Sequence, residues 1–344
     1  VALALAATAA ACGGDDDGGG TSAAGSGAET EAGGGAEEGA FPVTIEHQRG
    51  TTEITERPER VVTVGFTDQD TVLAFGVTPV GVRDWYGDQP HATFPWAQDE
   101  LGDAEPEIVG DGTAINVEAV AGLRPDLILA IYEEVDEETY DTLSQIAPTI
   151  TQADEFEQYL QPWQETTRTV GRALGEPERA EELIAGVEDA YAAARADHPE
   201  FEGTQAAMAQ FGDSPGHFYL THPEDPKASF LIQLGFEIPD EITDVIVDNE
   251  GEEVSFENLQ LVDQEIVVWL AGFESPDLIA ELRDSPLYQQ LAVAQEGRDL
   301  FLEDAVDALS WGTVLSIPAA IEDVVPQLAE VLAGGSSEAG GAGG

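Results

Sequence analysis

Residues 60–82 read RVVTVGFTDQDTVLAFGVTPVGV. Val61 to Val64 is an unbroken apolar run, as a strand buried on both faces of a parallel sheet would be. Asp68 to Phe75 has helical spacing, and Gly76 supplies the stop. Val80 to Val82 resumes as a strand. Strand, helix and strand in one short stretch make a βαβ unit, and βαβ units imply an α/β fold with a mainly parallel sheet.

The next unit outward is NVEAVAGLRPDLILA, from Asn116 to Ala130. It reads as a capped helix, a Pro-marked turn and a buried strand. The chain repeats this pattern as SFENLQLVDQEIVVW, from Ser255 to Trp269. The two align without a gap, so Asn116 falls on Ser255 and Glu118 on Glu257. One such unit in each half predicts two similar α/β lobes. Strands are expected at Pro125 to Ile131 and Pro148 to Ile150, then at Ala206 to Phe211, His217 to Leu220 and Asp299 to Leu302. Between residues 155 and 198 the apolar positions fall at helical spacing, including Trp163, Val170, Leu174, Ile184, Val187 and Tyr191. Gly175 to Pro177 punctuates that run. The expected division is an N-terminal lobe at 41–154, a connecting helical segment at 155–198 and a C-terminal lobe with a closing helix at 199–333.

Outside the lobes the composition changes. Val1 to Ala11 is a run of small apolar residues ending at Cys12, the only cysteine. It reads as the back half of a secretory signal leading into a lipobox, with Cys12 as the lipid attachment site. The run is too short to span a bilayer. Residues 13–40 are Gly, Ala, acidic and hydroxyl residues and read as a flexible tether, as do residues 334–344. Asp plus Glu number 69 against 12 Lys plus Arg, a net charge of -57, and Lys227 is the only lysine. Such a surface repels nucleic acid and anionic headgroups, so a lipid anchor is the only membrane contact expected.

Several enzyme signatures are missing. No P-loop or GxGxxG accompanies a strand. Gly212 to Gly216 (GDSPG) fits the nucleophile-elbow pattern around Ser214. Pro215, however, lacks the N–H that the oxyanion hole requires, and an extended segment follows where a helix is needed. His91, His217 and His222 are the residues from which a free-metal site would be built, although their spacing does not impose one. No catalytic residue, metal or cofactor is expected.

The ligand-site candidates are aromatic. Trp85, Tyr86, Phe94 and Trp96 share the loop after the second strand, where ligands bind in parallel sheets. Arg83 precedes them and suits an anionic group. Phe66, Tyr132, Phe211, Tyr219 and Trp311 follow or end other strands and are expected to face the same cleft. Glu118 and Glu257 each lie two residues after a capping residue. A first-turn carboxylate is favoured by the helix dipole by about 0.3–1 kcal/mol. Their equivalence in the two halves adds a matched pair of negative charges on one rim.

These stretches, with ETYDTLSQIAPTI (Glu138 to Ile150) and KASFLIQLGFEIP (Lys227 to Pro239), resemble the substrate-binding lipoproteins of ABC importers for ferric siderophores, haem and cobalamin. The loop GVRDWYGDQPHATFPW (Gly81 to Trp96) is similar to that of the iron–siderophore branch. The resemblance implies two α/β lobes joined by one long rigid helix, with the ligand cleft between them. It implies a monomer at the outer face of the membrane, with a ferric siderophore as ligand and cobalamin or haem as the alternative. Glu118 and Glu257 would then dock on arginines of a permease dimer that carries ATPase subunits.

Overall fold

The structure is a computed structural model that describes residues 36–334 apart from 88, 249–250, 252, 273–275 and 304. Cys12 lies outside the described residues. The chain opens with an antiparallel hairpin, β1 (Val43–His47) and β2 (Gly50–Ile54). Five parallel strands follow: β3 (Val61–Thr63), β4 (Gly81–Val82), β5 (Glu107–Ile108), β6 (Leu127–Ala130) and β7 (Thr149–Thr151). They form one sheet in the order β5-β4-β3-β6-β7. Between them run α1 (Asp68–Ala74), α2 (Gln98–Leu101), α3 (Val117–Leu123) and α4 (Glu137–Ser144).

The apolar runs read from the sequence are buried on both faces. Val61, Leu127 and Leu129 pack with Ile45 and Ile54 of the hairpin, Val72 and Phe75. Val62, Val64, Ile128 and Ala130 pack with Val120 and Leu143 on the other face. Alternate residues of one strand thus serve two cores.

The connecting segment is two helices, not one. α5 (Trp163–Leu174) ends at Gly175, whose φ of +78° caps it in the left-handed region. A Cβ there would meet the Phe41 ring at 2.5 Å. Pro177 then starts α6 (Pro177–Asp197) at a position where its missing N–H costs nothing. α6 carries the link between the halves. Ala180 near its start packs in a core of the first sheet, while Ile184, Val187 and Tyr191 pack in a core of the second. The folded part also begins earlier than the composition suggests. Glu37 N donates to the Gly175 carbonyl at 2.8 Å, and Glu178 N donates to the Glu37 carboxylate at 2.7 Å.

The second sheet is built from β8 (Ala206–Phe211), β9 (His217–Leu220), β10 (Val254–Ser255), β11 (Ile266–Leu270) and β12 (Asp299–Leu302). Its order is β10-β9-β8-β11-β12. It is mixed: β8, β11 and β12 are parallel, whereas β8 and β9 form an antiparallel hairpin. The second half therefore does not open with a βαβ unit as the first does. Its helices are α7 (Pro226–Gln233), α8 (Asp240–Asp248), α9 (Pro276–Asp284), α10 (Ala292–Gln295), α11 (Val306–Trp311) and the closing α12 (Ser316–Leu332). The repeated unit survives in altered form. Asn116 caps α3 through Ala119 N at 3.1 Å, whereas Ser255 caps a 3₁₀ segment, Phe256–Val262, through Glu257 N at 3.3 Å.

Candidate functional site

The order of the first sheet reverses between β3 and β6, which opens a crevice beyond their carboxyl ends. Asp68, the first residue of α1, holds both sides of it. Its carboxylate accepts from Ile131 N at 2.8 Å and Tyr132 N at 3.1 Å, so the turn after β3 is tied to the turn after β6. Gly65 makes room for this: a Cβ there would lie 2.3 Å from Asp68 Oδ2. Burial is the leading influence on Asp68 and pushes its carboxyl up to about 6, against the hydrogen bonds that pull it down.

The aromatic loop closes over the crevice. Gln69 pins it by donating from Nε2 to the carbonyls of Phe66 at 3.2 Å and Ala92 at 3.0 Å. His91 and Ala92 take positive φ there, a conformation rare for residues with a Cβ. Trp85 stacks on Phe66 with centroids 4.8 Å apart. Phe94 stacks on Trp96 at the same separation. Trp311, from α11 in the second half, seats itself among them, 4.3 Å from Phe94, 5.3 Å from Trp85 and 5.4 Å from Tyr86. Tyr132 joins from the end of β6, 6.1 Å from Trp85 and 5.0 Å from Tyr159.

Asp70 fixes the join between the halves. It is fully buried, and its Oδ2 accepts from Trp96 Nε1 at 2.7 Å and from Thr313 Oγ1 at 2.8 Å. Burial raises its carboxyl to about 7, while these two donors and the Trp311 indole pull the other way. Tyr86 likewise meets the Asp307 carboxylate of α11 in the second half. Beside the rings, a small cavity of about 20 Å³ is lined by Thr67, Tyr132, Gln161, Trp163, Pro226 and Trp311. It shares Gln161, Trp163 and Pro226 with an outer groove of about 240 Å³. A larger hollow of about 480 Å³ lies on the second half around Arg283, Tyr288 and Asp299, at the start of β12 and away from the rings.

Seven of the expected aromatics, Phe66, Trp85, Tyr86, Phe94, Trp96, Tyr132 and Trp311, therefore meet in one cluster. Phe211 does not join them. It packs 5.4 Å from Trp269 inside a core of the second sheet, on the same face as Ala207 and Ala209. Tyr219 lies on β9 with its hydroxyl 3.3 Å from Asp213 in the hairpin. Arg83 is 3% exposed: Nη1 pairs with Glu133 at 2.6 Å, Nε donates to the Asp111 carbonyl at 2.7 Å, and the guanidinium lies 4.1 Å above the Phe66 ring. It packs against Phe66 and lines a cavity of about 270 Å³ with Glu133 and Thr113. Asp70, Thr313 and Tyr159 were not singled out from the sequence. Gly212 to Gly216 is the turn of the β8–β9 hairpin, where Ser214 N donates to Glu253, and a strand follows it. Among the described residues no three His, Cys, Asp or Glu converge as metal ligands.

Residues 61–304 match the periplasmic binding protein family. Among curated proteins the chain is 26% identical over 290 residues to the probable siderophore-binding lipoprotein YfiY of Bacillus subtilis, covering 80% of this chain and 84% of the relative. Among solved structures, a periplasmic solute binding protein from Mycobacterium smegmatis superposes with a TM-score of 0.74 at 32% identity, over 84% of this chain and 98% of that one. Staphylococcus aureus SirA complexed with staphyloferrin B superposes with a TM-score of 0.69 at 26% identity, over 83% and 98%.

Proposed function

We propose that this chain, which belongs to the periplasmic binding protein family, captures a ferric siderophore between its two halves and hands it to the permease of an ABC importer. The observation that carries this reading is the ring cluster at the crevice. It draws side chains from both halves at the carboxyl ends of the first sheet, where a bound body would touch both. The names of the YfiY and SirA relatives, one siderophore-binding and one complexed with staphyloferrin B, supply the ligand class. The family is one of substrate-binding transport proteins.

The ring cluster leaves little open space, whereas sites for small molecules of drug size span about 300–1,000 Å³. A siderophore therefore enters by parting Trp311 from the loop rings, which changes the spacing of the halves. That spacing is what a permease would read. Glu118 and Glu257 are both exposed and both stand at capped turns, which suits them to meet permease cations. The small apolar run ending at Cys12 and the lipoprotein relative support export with anchoring through Cys12, and no described helix is long and apolar enough to cross a bilayer. The lobes are assigned to 41–154 and 199–333 about the connecting residues 155–198.

Tryptophan fluorescence tests the reading directly, since Trp85, Trp96 and Trp311 lie in the cluster. Ferric siderophores are expected to quench it at micromolar concentration or below, as an order of magnitude for specific binding. The absence of quenching across hydroxamate, carboxylate and catecholate complexes would remove the proposal.

A further inference from the structure

The hollow of about 480 Å³ on the second half falls within the range of about 300–1,000 Å³ found for small-molecule sites. Its place sets it apart from the cleft. β12 is an edge strand and Asp299 is its first residue, so the hollow opens at the amino end of β12. The chain leads on to α11 and Trp311 from the other end.

The walls of the hollow are held in place by their own bonds. The Tyr288 hydroxyl belongs to a buried side chain, donates to Asp299 Oδ2 at 2.9 Å and accepts from Trp269 Nε1 at 3.2 Å. That relay fixes the Asp299 carboxylate and leaves its remaining lone pairs for a donor. Gln289 Nε2 donates to the Arg283 carbonyl at 3.0 Å, and Gln295 Nε2 donates to the Gln289 carbonyl at 3.0 Å. The end of α9, the turn after it and α10 therefore share one rim.

Arg283 on that rim is half-buried, with its guanidinium 4.1 Å above the Phe301 ring. Arg57, Arg83, Arg168, Arg179 and Arg298 each pair with a carboxylate. Arg283 does not: among the described residues its guanidinium has neither an ion pair nor a hydrogen-bond acceptor. A planar fork held over a ring with its donors unspent is matched to a carboxylate. Asp299, in the same hollow, offers the opposite charge. A net anion is disfavoured by Asp299 and by the chain's charge of -57, whereas a zwitterion feels no net long-range force. We infer that this hollow is a second ligand site for a small zwitterion of the α-amino-acid class, with Arg283 gripping the carboxylate and Asp299 the ammonium.

Calorimetric titration of the chain with each common α-amino acid tests this. At least one is expected to bind with a Kd of about 1 mM or below. Its N-acetyl derivative lacks the ammonium and its methyl ester lacks the carboxylate. Each should bind at least about ten-fold more weakly, the scale of one charge-assisted hydrogen bond. Arg283→Lys keeps the charge without the fork, and Asp299→Asn keeps an acceptor for Tyr288, so both should fold. Each should weaken binding at least about ten-fold. In Asp299→Asn the free amino acid should also lose its advantage over the N-acetyl form. Binding by no amino acid would overturn the inference. Equal binding of the N-acetyl or ester forms would overturn it too, as would full affinity in Arg283→Lys. None of these results bears on the siderophore reading, since Arg283 and Asp299 take no part in the ring cluster.

Discussion

Thr313 Oγ1 donates a 2.8 Å hydrogen bond to Asp70 Oδ2, joining residues 243 apart in the chain and one half of the molecule to the other. The bond is buried, and Trp96 shares the same acceptor oxygen. Thr313 is itself held by Ser316, whose hydroxyl accepts from Thr313 N at 2.8 Å at the start of α12. The contact between the halves is therefore polar at its centre and aromatic around it.

That arrangement gives stability a pH dependence with a definite sign. Asp70 is raised to about 7 and Asp68 to about 6 in the folded chain. The unfolded carboxyls titrate near about 3.9. Between these limits the folded state binds more protons, so stability is lost as pH rises from about 4 to about 7 and levels off above. For Asp70 alone the loss is on the order of 4 kcal/mol. Asp70→Asn should flatten thermal unfolding midpoints measured between about pH 5 and about pH 8 relative to wild type. Parallel curves for the two proteins would show that Asp70 is not the titrating group.

Gly65→Ala should disturb the crevice from beneath. The new methyl would lie 2.3 Å from Asp68 Oδ2, displacing the carboxylate that holds Ile131 N and Tyr132 N. Leaving two buried donors poorly satisfied costs about 1–3 kcal/mol each. Chemical denaturation should report a loss of about 2–6 kcal/mol, the sum over the two donors, with weaker ligand quenching alongside it.

Trp311→Ala removes the ring that the second half contributes. Trp311 is 2% exposed, and truncating a buried aromatic costs about 3–5 kcal/mol. Trp311→Phe keeps most of the packing and should lose less than half of that. Both variants should bind ferric siderophore more weakly than wild type. Unchanged affinity in Trp311→Phe would place the ligand elsewhere.

Phe211→Leu distinguishes core from cleft. Its ring packs against Trp269 and not against Trp85 or Trp311, so the substitution should lower stability by about 1–1.5 kcal/mol and leave ligand affinity within error.

Charge reversal at Glu118 and Glu257 together should leave siderophore binding intact and reduce uptake by cells at least about ten-fold, as lost electrostatic docking would. Normal uptake would leave the two carboxylates as helix starts and no more.

Much of the fold was legible because burial on two faces writes itself as continuous apolar runs. Val61 to Val64 and Leu127 to Ala130 could hardly be anything else. α8 and α11 were missed, since each is short and flanked by acidic residues that resemble loop. The cleft rings were found from their position after strands, and that same rule misplaced Phe211. Strand alternation would have corrected it: Phe211 shares parity with Ala207 and Ala209, and the hairpin register sets it opposite Phe218, another core ring. Arg83 reads as a ligand group because it precedes the aromatic loop, and the structure pairs it with a carboxylate that the sequence does not announce. Glu133, fifty residues later, gave no local sign that it would neutralise it. Asp70 was hidden for a similar reason. An acidic residue in a first helical turn is expected at the surface, and only the return of the chain at Thr313 buries it.

Lys227 has a practical consequence. It is the only side-chain amine in the sequence, and it stands at the start of α7, next to Pro226 of the small cavity and close to the ring cluster. An amine-reactive dye has a single lysine to modify and would place its reporter beside the cleft without engineering. The same residue gives a single cross-linking address, from which any partner captured in place is one that approached the ligand side.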